Sequence, residues 1–131
     1  MSTDVETSSA ADAPLTALSE DEVLFRKTVR DFSEKEILPF VSKMDREMRI
    51  EPSLLPKLFE LGVMGIEIPN SYAGAGSSFF MATLAVEEIS RVDASIGVLV
   101  DVQNTLVNNA VLRWATEEQK SRHLTRLARD T

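Results

Sequence analysis

Apolar residues along this chain recur at helical spacing, and the punctuation between the runs divides it into about five helices. Phe25, Val29 and Phe32, then Ile37, Phe40, Val41 and Met44, mark one face of a first helix, and Ser19 followed by Glu22 supplies a capping-box pattern at its start. Pro39 interrupts this stretch. It has no backbone donor and biases Leu38 away from helical geometry, so a kink or break is expected there, with helix resuming toward Asp45. Ser53 is positioned to cap a second, short helix in which Pro56 falls in the tolerated first turn. Leu55, Leu58 and Phe59 then face inward, and Gly62 is the natural stop.

Residues 65–69 alternate apolar and polar and read as extended, and residues 70–76 (Asn-Ser-Tyr-Ala-Gly-Ala-Gly) are turn chemistry. Glycines ahead of a helix start at Ser77 or Ser78 raise the idea of a phosphate-cradling loop, but no lysine and no G-x-G-x-x-G accompanies them. The plainer reading is that Gly74 and Gly76 allow a positive φ or a close backbone approach while Tyr72 packs. A long helical stretch follows, from about Phe79 to Ala115. Its first half, to about Arg91, should bury Phe80, Leu84 and Ile89; two helices meet at Val92, and Asp93 caps the next. That fourth helix carries Ile96, Val98, Leu99, Val100, Val102, Leu106, Val107, Ala110, Val111 and Trp114, more than the one stripe a surface helix needs. Either it is the centre of its domain or its partners lie outside this chain. Thr116 with Gln119 repeats the capping-box pattern, and Glu117 and Glu118 suit the N-terminus of a last helix carrying Leu124 and Leu127.

Composition changes this picture little. At 131 residues and 44% hydrophobic content the chain can bury one core but hardly two. The formal charge of −7 comes from 21 acids and 14 bases. Asp4, Glu6, Asp12, Glu20, Asp21 and Glu22 lie in the first twenty-two residues without a base, so the remainder is nearly neutral. No basic stripe is left to follow a nucleic-acid backbone. No apolar run approaches a membrane span. Without cysteine, and with His123 the sole histidine, neither disulfides nor thiolate or histidine-cluster metal sites can form. Residues 1–17 read as a disordered acidic tail ahead of a helical domain over 18–131. The tail lacks the arginines of a mitochondrial transit peptide and the apolar run of a secretory signal, which points to the cytoplasm.

Catalytic chemistry is hard to find. No nucleophile, base and orienting group occur together, and Glu87 and Glu88, adjacent on a helix, cannot face each other and read as a solvated face. Asp101 has two readings. It faces water on a wet stripe with Asn104 and Asn108, or it is enclosed and must be paired, protonated or hydrated.

An ordered set of residues nevertheless resembles a known family. Phe32, Ile37 and Pro39, Asp45, Leu61-Gly62 with Gly65, Pro69 with Tyr72-Ala73-Gly74-Ala75-Gly76, Glu87-Glu88, Arg91-Val92-Asp93-Ala94-Ser95 and Thr116-Glu117-Glu118-Gln119-Lys120 are similar, in order and spacing, to the N-terminal helical domain of acyl-CoA dehydrogenases. Val92-Asp93-Ala94-Ser95 and Gln103-Asn104-Thr105-Leu106 are most similar to the short/branched-chain members. The chain departs from the family pattern at Ala73, where glycine is usual, and at Ala115, His123 and Thr125. If position 73 needs a positive φ, alanine costs about 1 kcal/mol there.

The resemblance implies an all-α, up-and-down bundle and an FAD-dependent oxidation of short or branched acyl-CoA. In that reaction a glutamate removes the α-proton while the β-hydrogen leaves as hydride. It further implies electron-transferring flavoprotein as partner, a homo-oligomer (tetramer) and, in a eukaryote, the mitochondrial matrix. The family's β-domain, which holds much of the FAD site, and the helical domain with the catalytic glutamate would both follow Thr131. No catalytic or FAD-binding residue is therefore assigned here, and this stretch alone is expected to be inactive. Substrate-binding positions carried over from the family's fourth helix are Val98, Asp101, Val102 and Thr105, at the blind end of the acyl pocket. Their spacing of i, i+3, i+4 and i+7 puts them on one helix face. The competing class is a stand-alone helical interaction module that keeps the packing surface without the chemistry.

Overall fold

The computed structural model describes residue 14 and residues 16–129. The acidic-tail expectation therefore falls, apart from residues 14, 16 and 17, outside the described residues. Within them there are only helices and connecting loops, arranged as five rods.

The first rod starts at α1 (Glu20–Phe32), and its capping box is complete: the Ser19 amide donates to the Glu22 carboxylate at 2.7 Å, and the Glu22 amide donates to Ser19 Oγ at 3.3 Å. Of the kink or break expected at Pro39, the break does not occur, and helix resumes toward Asp45 as expected. Beyond Phe32 the chain passes through a π turn (Ser33–Ile37) and a 3₁₀ turn (Leu38–Phe40) into α2 (Val41–Glu47), and Leu38 keeps helical angles (φ −49°, ψ −41°). A wider and then a narrower turn accommodate the missing proline donor without ending the helical course.

The second rod, α3 (Leu54–Leu61), corrects another expectation. Ser53 does not cap it with its side chain, which turns to Glu51 at 3.3 Å, and the helix instead starts from an αR residue. It stops as foreseen at Gly62, with φ +85°. The third rod is α4 (Phe79–Ser90), capped by Ser78. The fourth runs from the Asp93 cap through α5 (Ala94–Asp101), a seven-residue π segment (Val102–Asn108) and α6 (Asn109–Trp114). The fifth is α7 (Glu117–Arg129), opened by the Thr116/Gln119 capping box at 2.9 and 3.3 Å.

The main core joins Val29, Ile37, Met44, Leu54, Leu58, Val63, Ile66, Ala85, Ile89, Ile96 and Val100, so the first, third and fourth rods converge there with α3. A smaller cluster of Ile68, Leu124 and Ala128, with Tyr72, Val111 and Leu127 packed on it, holds α7. Leu84 and Ile89 are buried as expected, whereas Phe80 is half-buried.

Glu88 overturns the solvated-face reading. It is 2% exposed and accepts two hydrogen bonds from Arg30, 2.7 Å from Nε and 2.8 Å from Nη2, which tie α1 to α4. The Arg30 hydrogen bonds hold the Glu88 carboxyl below the ordinary carboxylate range against the opposing effect of burial, and the Arg30 guanidinium is pushed up in return. Glu87 does face solvent.

Candidate functional site

The fourth rod is buried along one side and bare along another. Ile96, Val100, Asn104 and Asn108 face inward, while Val98, Val102, Leu106, Val107 and Trp114 are exposed, Trp114 at 85% and Leu106 at 63%. An over-apolar helix on a small domain is resolved here in favour of uncovered surface. Leu106 and Trp114 join Phe79, Thr105, Asn109, Ala110 and Arg113 around an open hollow of about 430 Å³.

Of the four residues carried over by resemblance, Val98 is 59% and Val102 38% exposed, and Asp101 and Thr105 are half-buried. They occupy successive turns of the bare side. Thr105 Oγ1 donates to the Asp101 carbonyl at 2.9 Å, and the Asp101 carboxylate has no hydrogen bond or ion pair among the described residues. Asp101 is thus neither fully enclosed nor part of a wet stripe with Asn104 and Asn108. Those two asparagines are 1% and 0% exposed, which corrects that grouping.

What the asparagines do was not foreseen. The Asn104 side-chain amide donates to the Val63 carbonyl at 2.7 Å and to the Val100 carbonyl at 2.9 Å, while its oxygen accepts from the Ile66 amide at 3.0 Å. Asn108 donates to the Met64 carbonyl at 2.8 Å, and Asn109 donates to the Glu67 carboxylate at 3.0 Å. Gln103 reaches the other way, to the Leu127 carbonyl of α7 at 3.0 Å. Of the backbone from Val63 to Ile66, buried without strand partners, the Val63 and Met64 carbonyls and the Ile66 amide are therefore satisfied by amide side chains of the π segment. This clamp fixes the rod's rotation and so decides which side is bare. The sequence held a signal: polar amides spaced by four on an otherwise apolar helix need backbone partners if that face is buried.

The 65–77 loop is a closed structure. Ile66 and Ile68 are buried as the alternation suggests, but the segment pairs with its own return instead of a strand. The amides of Ala75, Gly76 and Ser77 donate to the carbonyls of Gly65, Ile68 and Ile66 at 2.8–2.9 Å, and those of Ala73 and Gly74 donate to Asn70 and Pro69. With these donors committed, the phosphate-cradle reading fails. Gly74 is required for closeness, since a Cβ there would lie 2.0 Å from the Ile68 carbonyl oxygen. Ala73 adopts φ +66°, the left-handed conformation that the departure from glycine put in question.

A flavin finds no built site in these residues. Among the described residues every buried side-chain nitrogen and oxygen already has a partner in the chain, and the loop amides are taken. No group of three or more His, Cys, Asp or Glu able to hold a metal occurs among them either, and His123 is exposed. No helix there is long and apolar enough to cross a membrane.

Comparison with known proteins completes the picture. Residues 19–131 match the family model described as acyl-CoA dehydrogenase, N-terminal domain. The chain is similar to the mitochondrial short/branched chain specific acyl-CoA dehydrogenase of Bos taurus, 43% identical over 116 residues that are 88% of this chain and 27% of the relative. A chain solved in work on the electron transferring flavoprotein of Acidaminococcus fermentans superposes with a TM-score of 0.83 at 32% identity, over 88% of this chain and 30% of that one. The glutaryl-CoA dehydrogenase of Mycobacterium smegmatis, in complex with FADH2, does so with a TM-score of 0.79 at 31% identity, over 85% and 28%. This chain spans little more than a quarter of the curated relatives it matches.

Proposed function

The chain belongs to the acyl-CoA dehydrogenase family, whose N-terminal domain it forms, and from that premise we propose that it serves the α,β-dehydrogenation of short or branched acyl-CoA thioesters. Its part is one wall of the acyl pocket, made by Val98, Asp101, Val102 and Thr105. The observation that carries this reading is the bare side of the fourth rod, where apolar side chains stand uncovered while the opposite side is clamped in place by buried amides. A rigid apolar wall is what such a domain can contribute to a reaction whose redox chemistry belongs to a cofactor.

FAD, in this reading, is held by the parts of the enzyme corresponding to the remaining length of the relatives, and so is the catalytic glutamate. Electrons pass to an electron-transferring flavoprotein, and the enzyme is a homotetramer. It works in the cytoplasm, or in the mitochondrial matrix of a eukaryote. Substrate preference follows the short/branched relatives, at 43% identity, ahead of the glutaryl-CoA enzyme at 31%.

A chimera tests the reading: residues 19–131 replace the matched segment of the Bos taurus short/branched enzyme. The expected result is a flavin-loaded protein whose colour bleaches on adding a short branched acyl-CoA. A folded, flavin-loaded chimera that no short or branched acyl-CoA bleaches would overturn it.

A further inference from the structure

The last turn of α7 is held from three directions through three successive residues. The Leu127 carbonyl accepts from the Gln103 side-chain amide at 3.0 Å, and Arg129 Nε donates to the Ala73 carbonyl at 3.3 Å. Between them Ala128 sits so close to Gly65 that a Cβ on that glycine would lie 3.0 Å from the Ala128 Cα. Two of the three contacts go to the 65–77 loop, and the third, Gln103, runs to the fourth rod. Leu127 is among the last four described residues of α7, whose carbonyls find no amide within that helix, so the bond answers a need that helix geometry creates. Gln103 also belongs to the clamp. Its side-chain nitrogen lies 3.4 Å from Asn108 Oδ1 and it directly precedes Asn104, so the groups that orient the wall and the bond that reaches α7 form one network. Residues 19–131 match a domain named as N-terminal, and in the relatives most of the remaining length follows it.

We propose that Gln103 is a positioning residue for the dehydrogenation, a strut that holds the wall in fixed register with the end of α7, where the chain leads on to the rest of the enzyme. The inference rests on the pocket-wall reading above. An acyl chain leaning on this wall presents its α and β carbons to groups carried by the rest of the enzyme, and those groups react only from a near-attack distance of about 3–3.5 Å. A misplacement of about 1 Å arising far from the chemistry can cost on the order of a hundredfold in rate. The strut needs a donor at its tip, since both of its partners are oxygen acceptors. It is not what keeps α7 folded. Leu124 and Ala128 are buried with Ile68, and the Thr116/Gln119 box closes the other end, so losing the strut should loosen one turn and leave the helix standing.

The test uses the chimera described above and three variants. Gln103→Met keeps the length and removes the donor, and Gln103→Asn keeps the donor but falls one methylene short. His123→Gln alters the same open hollow, of about 540 Å³, without touching the bond. Turnover of a short branched acyl-CoA with a dye as electron acceptor, counted per bound flavin, should show kcat lowered about ten- to hundredfold in both Gln103 variants, with KM within about threefold of the parent. His123→Gln should match the parent. Hydrogen exchange read by mass spectrometry should quicken over residues 124–129 in the Gln103 variants and stay unaltered in the first turn of α7. A merely structural residue would lower flavin content and melting temperature while leaving turnover per bound flavin where it was, and that result overturns the proposal. So does an equal loss of turnover in His123→Gln, or a fall in kcat without a change in exchange. If the parent chimera turns over and the Gln103 variants equal it, the strut is wrong and the wall reading stands. If the folded, flavin-loaded parent is bleached by no short or branched acyl-CoA, the wall reading itself fails and takes the strut with it.

Discussion

Replacing Asn104 with alanine removes one side chain and strands buried backbone groups in a segment that no strand supports. The Ile66 amide loses its acceptor and the Val63 carbonyl loses its donor, both where exposure is 1% or less. Each buried polar group left unpaired costs about 1–3 kcal/mol, so these two contribute about 2–6 kcal/mol. The vacated space adds about 1 kcal/mol if it stays dry, and a water entering it moves the total toward the lower end. We expect a loss of about 3–5 kcal/mol, against a net stability of about 5–15 kcal/mol for a typical domain. In urea, with a slope of about 2 kcal/mol per molar, the midpoint should fall by about 1.5–2.5 M with the slope unchanged. Native-state hydrogen exchange gives the local readout: the Ile66 amide should lose protection before the amides of α1 do. Asn104→Asp makes the chemistry specific. It retains the acceptor for Ile66 but sets a carboxylate against the Val63 carbonyl, so its deficit should shrink as acid protonates the new group and restores a donor. A midpoint shift below about 0.5 M for Asn104→Ala, with Ile66 still protected, would refute the clamp.

Three further outcomes follow from other parts of the fold. Ala73→Gly should stabilise the protein by about 0.5–1 kcal/mol, because relief of a left-handed alanine (about 1–2 kcal/mol) exceeds the added flexibility of the unfolded chain; urea midpoints measure it, and a loss of stability would show that φ +66° is not strained. The depressed Glu88 carboxyl stabilises the fold above its unfolded value near 4.5, and that contribution is lost as pH falls through the lower folded value. In Arg30→Met the same carboxyl is buried without its partner and rises instead, so the stability gap between parent and variant should be wide at pH 7 and narrow toward pH 3; a constant gap would mean that the ion pair contributes nothing. Finally, the 131-residue chain on its own should bind an apolar dye and self-associate at micromolar concentration, since each large apolar side chain left in water forfeits about 1.5–3 kcal/mol. Sedimentation should show Leu106→Glu with Trp114→Glu reducing the association, and an unchanged sedimentation profile would place the sticky surface elsewhere.

The parts of this fold that were legible in the sequence are those whose cause is local. Ser19 with Glu22, Thr116 with Gln119, and Asp93 ahead of Ile96 each satisfy helix-end amides within three residues, and Gly62 stops α3 by a conformation that it alone adopts cheaply. What was missed depends on partners far along the chain. Glu88 is buried because Arg30 reaches it from 58 residues away, and Asn104 and Asn108 are buried because carbonyls about forty residues earlier need donors. Helical spacing alone cannot tell a solvated amide from a clamped one, since both recur on one face. The candidate wall was legible as a helix face, through the resemblance and through the excess of apolar positions. Its bareness could be read only once the opposite side had been given an occupant.

The seven-residue π segment gives the rod a property of counting. A π turn is an α turn carrying one surplus residue, and each residue of an α-helix is worth about 100° of rotation. Deleting a single residue between Val102 and Asn108, at a position that bears none of the clamping amides, would let the helix close as ordinary α. With α5 still held in the main core, everything downstream would swing by about 100°, carrying Trp114 off the side it shares with Val98 and Asp101. The chemistry of every side chain would survive and the surface would be dismantled. Where this rod points its apolar side is therefore an arithmetic property of the chain, open to change by one codon's loss and hard to reach by substitution.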